Sequence, residues 1–83
     1  MKHTTIEDIE KLREIIAIRE DRIGAITRRA TAIANSAKTM SLAELEAAAE
    51  EVTDLRKEIA EHKEIIRKAK LIIAKYYAPA SVA

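Results

Sequence analysis

The chain has no cysteine, phenylalanine or tryptophan, and only one glycine, one proline and two tyrosines among its 83 residues. Each shortage removes a class of function. Without cysteine there is no disulfide, no thiolate nucleophile and no cysteine-type metal site. A single glycine and a single proline exclude a sheet of many hairpins, which needs such residues at its tight turns, and leave no glycine-rich phosphate loop. The helical body lacks aromatic rings on which the bases of a single nucleic-acid strand would stack. Charge of one sign is missing too: 15 basic residues face 14 acidic ones, for a net +1, which argues against a general nucleic-acid binder. No apolar run approaches the length of a membrane span. The first residues, "MKHTTIEDIE", turn acidic without the apolar segment of a secretory leader. The expectation is a cytoplasmic protein with no membrane contact.

What is abundant is alanine, isoleucine and charge, the last at 35% of residues, a composition typical of long helices. Apolar residues recur at three- and four-residue steps. Ile9, Ile16, Ile23, Ala30 and Ala37 form one heptad series, with Leu12, Arg19, Ile26, Ile33 and Met40 as its companion. The second half repeats the device with Leu45, Val52, Ile59, Ile66 and Ile73, interleaved with Ala48, Leu55, His62, Ala69 and Tyr76. Thr4 or Thr5 is suited to cap the first helix, with Glu7 and Asp8 favoured in its first turn by the helix dipole. "SLAE" (Ser41 to Glu44) is a capping box for the second, and Pro79 stops it. The pattern predicts one all-α domain over residues 1–83: helix 1 over about 5–37, a turn at 38–40, helix 2 over about 42–77 and a mobile tail at 78–83.

So short a break forces an antiparallel, coiled-coil-like hairpin. The charges agree, because partners on one flank have numbers that add to 80: Arg29 with Glu51, Arg22 with Glu58, and then Ile15 with Ile65. On the other flank Glu20 is expected to meet Arg56. An isolated hairpin would leave Ile15, Ile18, Ile65 and Ile72 in water, together with Ile6 and Leu71. Contiguous exposed isoleucines mark an interface, and the expected solution is a homodimer forming a four-helix bundle, with Ile15, Ile18, Ile65 and Ile72 as the self-association residues.

Arg19 stands where an apolar residue is due, one layer from His62, with Glu58 and Glu61 near enough to neutralise it. The expected role is a polar core layer of Arg19, His62 and Glu58 that fixes alignment; the competing role is an inward cation for a carboxylate or phosphate. Protonation of His62 would set two cations together and loosen the bundle. Glu58 and His62 are four apart, whereas the di-iron bundle pattern needs three and a second Glu–His set, so no metal or cofactor is expected. Lys63, Arg67, Lys68 and Lys70, with Tyr77, are the candidate residues for binding a partner; Tyr76 is expected in the core and Tyr77 at the surface. Arg28 and Arg29 join the basic set in an alternative nucleic-acid reading. Ser36 and Ser41 have no histidine in reach, so nucleophilic catalysis is not expected.

"LREIIAIREDRIGAITRR" (Leu12 to Arg29) resembles the first helix of the all-helical chorismate mutases, with its Leu-Arg start and downstream Arg-Arg. The resemblance implies substrate carboxylates held by Arg13, by Arg28 or Arg29, and by Lys38. The arginine spacing is about one residue short of the family's, and no third helix follows Tyr77. In architecture alone, a dimerising hairpin is similar to the Rop-type plasmid copy-number regulators. The function expected is therefore a non-enzymatic protein–protein interaction module (regulator, adaptor or inhibitor, of a kind carried by phages and other mobile elements) with an unidentified protein partner. The alternative is a Rop-like nucleic-acid-binding hairpin dimer; the remote one is a mutase.

Overall fold

A computed structural model of the chain describes residues 3–78. It consists of two long helices, α1 (Ile6–Ser36) and α2 (Leu42–Tyr77), joined through a single 3₁₀ turn at Ala37–Thr39. The elements follow the expected boundaries, except that α1 gives way one residue early to the tighter turn. The tail expected over 78–83 falls, from Pro79 onward, outside the described residues.

Both helices start by the same local chemistry. The Thr5 hydroxyl accepts from the Asp8 N–H at 3.2 Å, and the Asp8 carboxylate accepts from the Thr5 N–H at 3.0 Å. Ser41 and Glu44 repeat this reciprocal pair at 3.2 and 3.0 Å. Two orphan donors are satisfied at each start, which fixes where the helix begins. Between the helices, the Thr39 hydroxyl donates to the Ser36 carbonyl at 3.1 Å and the Met40 N–H donates to the Ala37 carbonyl at 3.2 Å, closing the reversal without glycine.

The helices pack along the heptad seam. Every seam position of α1 and the turn, from Ile9 to Met40, is buried or half-buried, and so is every one in α2 from Ala48 to Ile73. Ile9, Ile26, Ile33, Ile66 and Ala69 are the most enclosed. Leu45 and Tyr76, the outermost seam positions of α2, are each 39% exposed, so Tyr76 does not take the core place expected of it. With partners adding to 80, Tyr76 falls opposite Thr4, before α1 has begun, and no helix covers it. The seam is also graded: alanines at 30, 37 and 48 line it near the turn, and isoleucines dominate toward the open end.

The product is a rod of 61 × 23 × 20 Å. It exposes 6767 Å², against about 5000 Å² for a compact monomer of its 9.3 kDa mass. A two-helix sandwich has one interface and no further layer, so much apolar surface stays in water.

Gly24 lies inside α1 with ordinary helical backbone, and an added Cβ would meet nothing closer than Arg28 Nη1 at 3.6 Å. Nothing in the packing calls for glycine there. Gly24→Ala is expected to raise stability by about 0.5–1 kcal/mol, because it narrows the unfolded ensemble without strain. The midpoint of urea unfolding at fixed protein concentration measures it.

Candidate functional site

The helix phase determines what gathers beside the seam. On one flank, α1 contributes Asp8, Ile15, Arg22 and Arg29 and α2 contributes Ile72, Ile65, Glu58 and Glu51, at heptad spacing and in opposite directions. Near the turn this flank is closed by charge. Arg29 donates to Glu51 through Nε at 2.7 Å and Nη2 at 3.1 Å, and Arg22 approaches Glu58 at 3.9 Å. The hydrogen bonds from Arg29 hold the Glu51 carboxyl below its ordinary pKa, and the same contact raises that of Arg29. Toward the open end the flank is apolar. There Ile15, Ile18 and Ile65, with Arg19, Arg22, Asp21 and His62, line an open groove of about 750 Å³. Ile18 is its most exposed large wall, at 62%. Ile72 continues the apolar line beside Leu12 and Lys11.

At the groove floor Arg19 Nη1 lies 2.9 Å from His62 Nδ1, and both residues are half-buried. A guanidinium has no lone pair to offer, so the imidazole nitrogen accepts, which places the proton of a neutral ring on Nε2. Glu58, expected in the same layer, lies on the flank beside Arg22 instead. The reason is side-chain direction. Side chains lean toward the N-terminus of their own helix, so Arg19 leans to the open end and His62 leans to the turn, and they converge. Glu58 sits on the turn side of Arg19 and leans further that way.

The same rule accounts for the other flank. Glu20 and Arg56 lean apart, and they form no ion pair among the described residues, contrary to the expected pairing. Arg13 and Tyr77 lean toward each other from far apart in number: the guanidinium lies 5.7 Å over the phenol ring, and Nη2 donates to the hydroxyl at 3.4 Å. Tyr76 packs edge-on against Tyr77 with ring centroids 5.0 Å apart. Sequence spacing alone missed this aromatic clamp; the convergent lean of an Arg and a Tyr on one flank is the signal that finds it.

The basic residues named as partner contacts do not form one strip. Arg67 is held by Glu64 through two hydrogen bonds of 2.6 and 3.0 Å, which raise its pKa and lower that of Glu64. At 100° per residue Lys63 and Lys70 share the flank of Tyr77, whereas Lys68 and Lys75 border the isoleucine groove on the other side of α2. Nor do Arg13, Arg28, Arg29 and Lys38 converge: Arg13 is engaged by Tyr77, Arg29 by Glu51, and Arg13 and Arg28 lie about 22 Å apart along the axis by helical rise. Among the described residues no cluster of histidine and carboxylate groups suits a metal ion, and no helix is long and apolar enough to cross a membrane. No protein-family model, curated protein or solved structure matches the chain.

Proposed function

We propose that this protein is a non-enzymatic interaction module of the cytoplasm, a helical hairpin that self-associates through Ile15, Ile18, Ile65 and Ile72 into a four-helix assembly and serves a protein partner as regulator, adaptor or inhibitor. The observation that carries the reading is the groove. It combines three isoleucines, one of them 62% exposed, on a rod whose surface exceeds that of a compact monomer by about 1800 Å². A standard interface covers about 800 Å² on each partner, well within that excess. Isoleucine in water at this density is costly, at about 25 cal/mol for each Å² left uncovered.

Light scattering at tens of micromolar tests the reading. The wild type is expected at twice its 9.3 kDa chain mass, and Ile18→Glu at the chain mass, because a carboxylate in the covered groove loses its water without gaining a partner. A wild type that scatters as a single chain overturns the proposal.

A further inference from the structure

The isoleucine groove occupies one flank of the hairpin, and the flank where Arg13 meets Tyr77 is the opposite one. Steps of seven residues place Glu20 and Ala34 of α1, and Lys70, Lys63, Arg56 and Ala49 of α2, along that second flank. All of them are exposed. Charge is segregated between the two sides. The heptad positions beside the groove carry Arg22 and Arg29 against four acids, Asp8, Glu44, Glu51 and Glu58. Those of the second flank carry Arg13, Arg56, Lys63 and Lys70 against one acid, Glu20. A nearly neutral chain thus has a basic side.

The cations on that side are not used within the chain. Among the described residues Arg56, Lys63, Lys70 and Glu20 form no ion pair. No residue three or four positions from Arg56, Lys63 or Lys70 is acidic, so their own helix offers them no carboxylate. Arg13 meets a neutral phenol, which cancels none of its charge. One row further out, α1 adds Glu10, and α2 adds Glu46 and an Arg67 already held by Glu64.

Toward the turn the same flank becomes apolar. Ala34, Ala49, Leu45, Val52 and Thr53 line a second groove of about 370 Å³ that ends at Arg56. Small side chains there let another backbone approach closely. Beyond it Arg56, Lys63 and Lys70 stand about 10.5 Å apart at helical rise, which is the spacing of every seventh residue in another helix.

Resting on the partner-binding part of the function proposed above, we infer that this flank seats an acidic amphipathic helix of the partner. Carboxylates at heptad spacing face Arg56, Lys63 and Lys70, and small apolar residues face Ala34 and Ala49. A nucleic acid fits less well, because the alanine-lined end offers a phosphate no side-chain donor. Pairing of two copies through the isoleucine groove leaves this side uncovered.

The test uses the full chain and a fluorescent four-heptad helix of leucine and alanine with glutamate at every seventh residue. Anisotropy is expected to show binding that weakens as salt rises. Lys63→Glu with Lys70→Glu is expected to raise the Kd about tenfold, while the light-scattering mass stays that of the wild type. Ala49→Trp changes no charge and is expected to raise the Kd several-fold by filling the groove near the turn. Circular dichroism checks that each variant keeps its helix content. An oligothymidylate of equal charge is expected to bind about tenfold more weakly than the peptide, since the flank has no row of rings for its bases. A peptide that does not bind, binding indifferent to Ala49→Trp, or tighter binding of the oligothymidylate overturns the inference and leaves self-association standing. A monomeric wild type that binds the peptide through Lys63 and Lys70 overturns self-association and upholds the basic flank.

Discussion

Ile9→Ala is expected to be among the most destabilising single substitutions in this protein, at about 2–5 kcal/mol. Among the described residues Ile9 is the one large side chain with no exposed surface, at 0%. It sits one turn into α1, where its N–H is the first to bond back to the Thr5 carbonyl, at 3.1 Å. Truncation removes three carbons from a site walled by two rigid helices, and a two-layer sandwich has no third element to move into the void. The loss amounts to a fall in Tm of about 4–8 °C for each kcal/mol in a domain of this size. Leu42→Ala is the control. Leu42 is 74% exposed in the first turn of α2, and its truncation is expected to stay within about 0.5 kcal/mol. Both are to be compared at one protein concentration, since association contributes to apparent stability. Equal effects would show that the seam is not where the stability lies.

The second large effect runs the other way. Replacing both members of the polar layer, Arg19→Leu with His62→Leu, is expected to raise stability by about 1–4 kcal/mol. Arg19 and His62 satisfy each other at 2.9 Å, yet both have given up part of their hydration to lie on an apolar floor. Two leucines there need no partner and extend the isoleucine seam. His62→Leu alone is expected to be less stable than the pair, since it leaves the Arg19 guanidinium over the floor without its acceptor. The gain in the double variant has a cost in uniqueness. With no polar layer to align, the assembled state is expected to broaden into several oligomers, read by light scattering and by loss of a single spin-label distance. A double variant that is less stable than wild type would mean that the hydrogen bond outweighs its desolvation.

These two sites also show how far the sequence could be read. Burial followed the heptads because helical phase is a property of the chain alone; eighteen of the twenty seam positions, all but Leu45 and Tyr76, needed no coordinates beyond two periods. The register was equally accessible, since Arg29–Glu51 and Arg22–Glu58 share one sum and both approach in the structure. Contacts at the next level of detail were not. Spacing places Arg19 near three candidate partners, and the choice among them depends on the few ångströms by which each side chain leans along its helix axis. That lean brings Arg19 to His62 and Arg13 to Tyr77, and it parts Glu20 from Arg56. Tyr76 was misplaced for a related reason: a heptad continues in sequence past the point where the opposing helix has started. The groove itself was legible in three of the four isoleucines read as an interface, Ile15, Ile18 and Ile65, but its floor was legible only as a conflict between charge and position.

The grading of the seam from alanine at the turn to isoleucine at the open end bears on the order in which the molecule closes. Contacts between the helices span 22 residues at Arg29–Glu51, 43 at Arg19–His62 and 64 at Arg13–Tyr77. Each lies further from the turn than the last, so once the two caps and the 3₁₀ reversal have formed, every later contact closes only a short additional loop. The hairpin zips outward from its weakest-packing end. The floor of the isoleucine groove, at Arg19–His62, therefore closes before the Arg13–Tyr77 contact at the open end, so the surface most prone to stick to other chains is in place while the last layers of the hairpin are still joining.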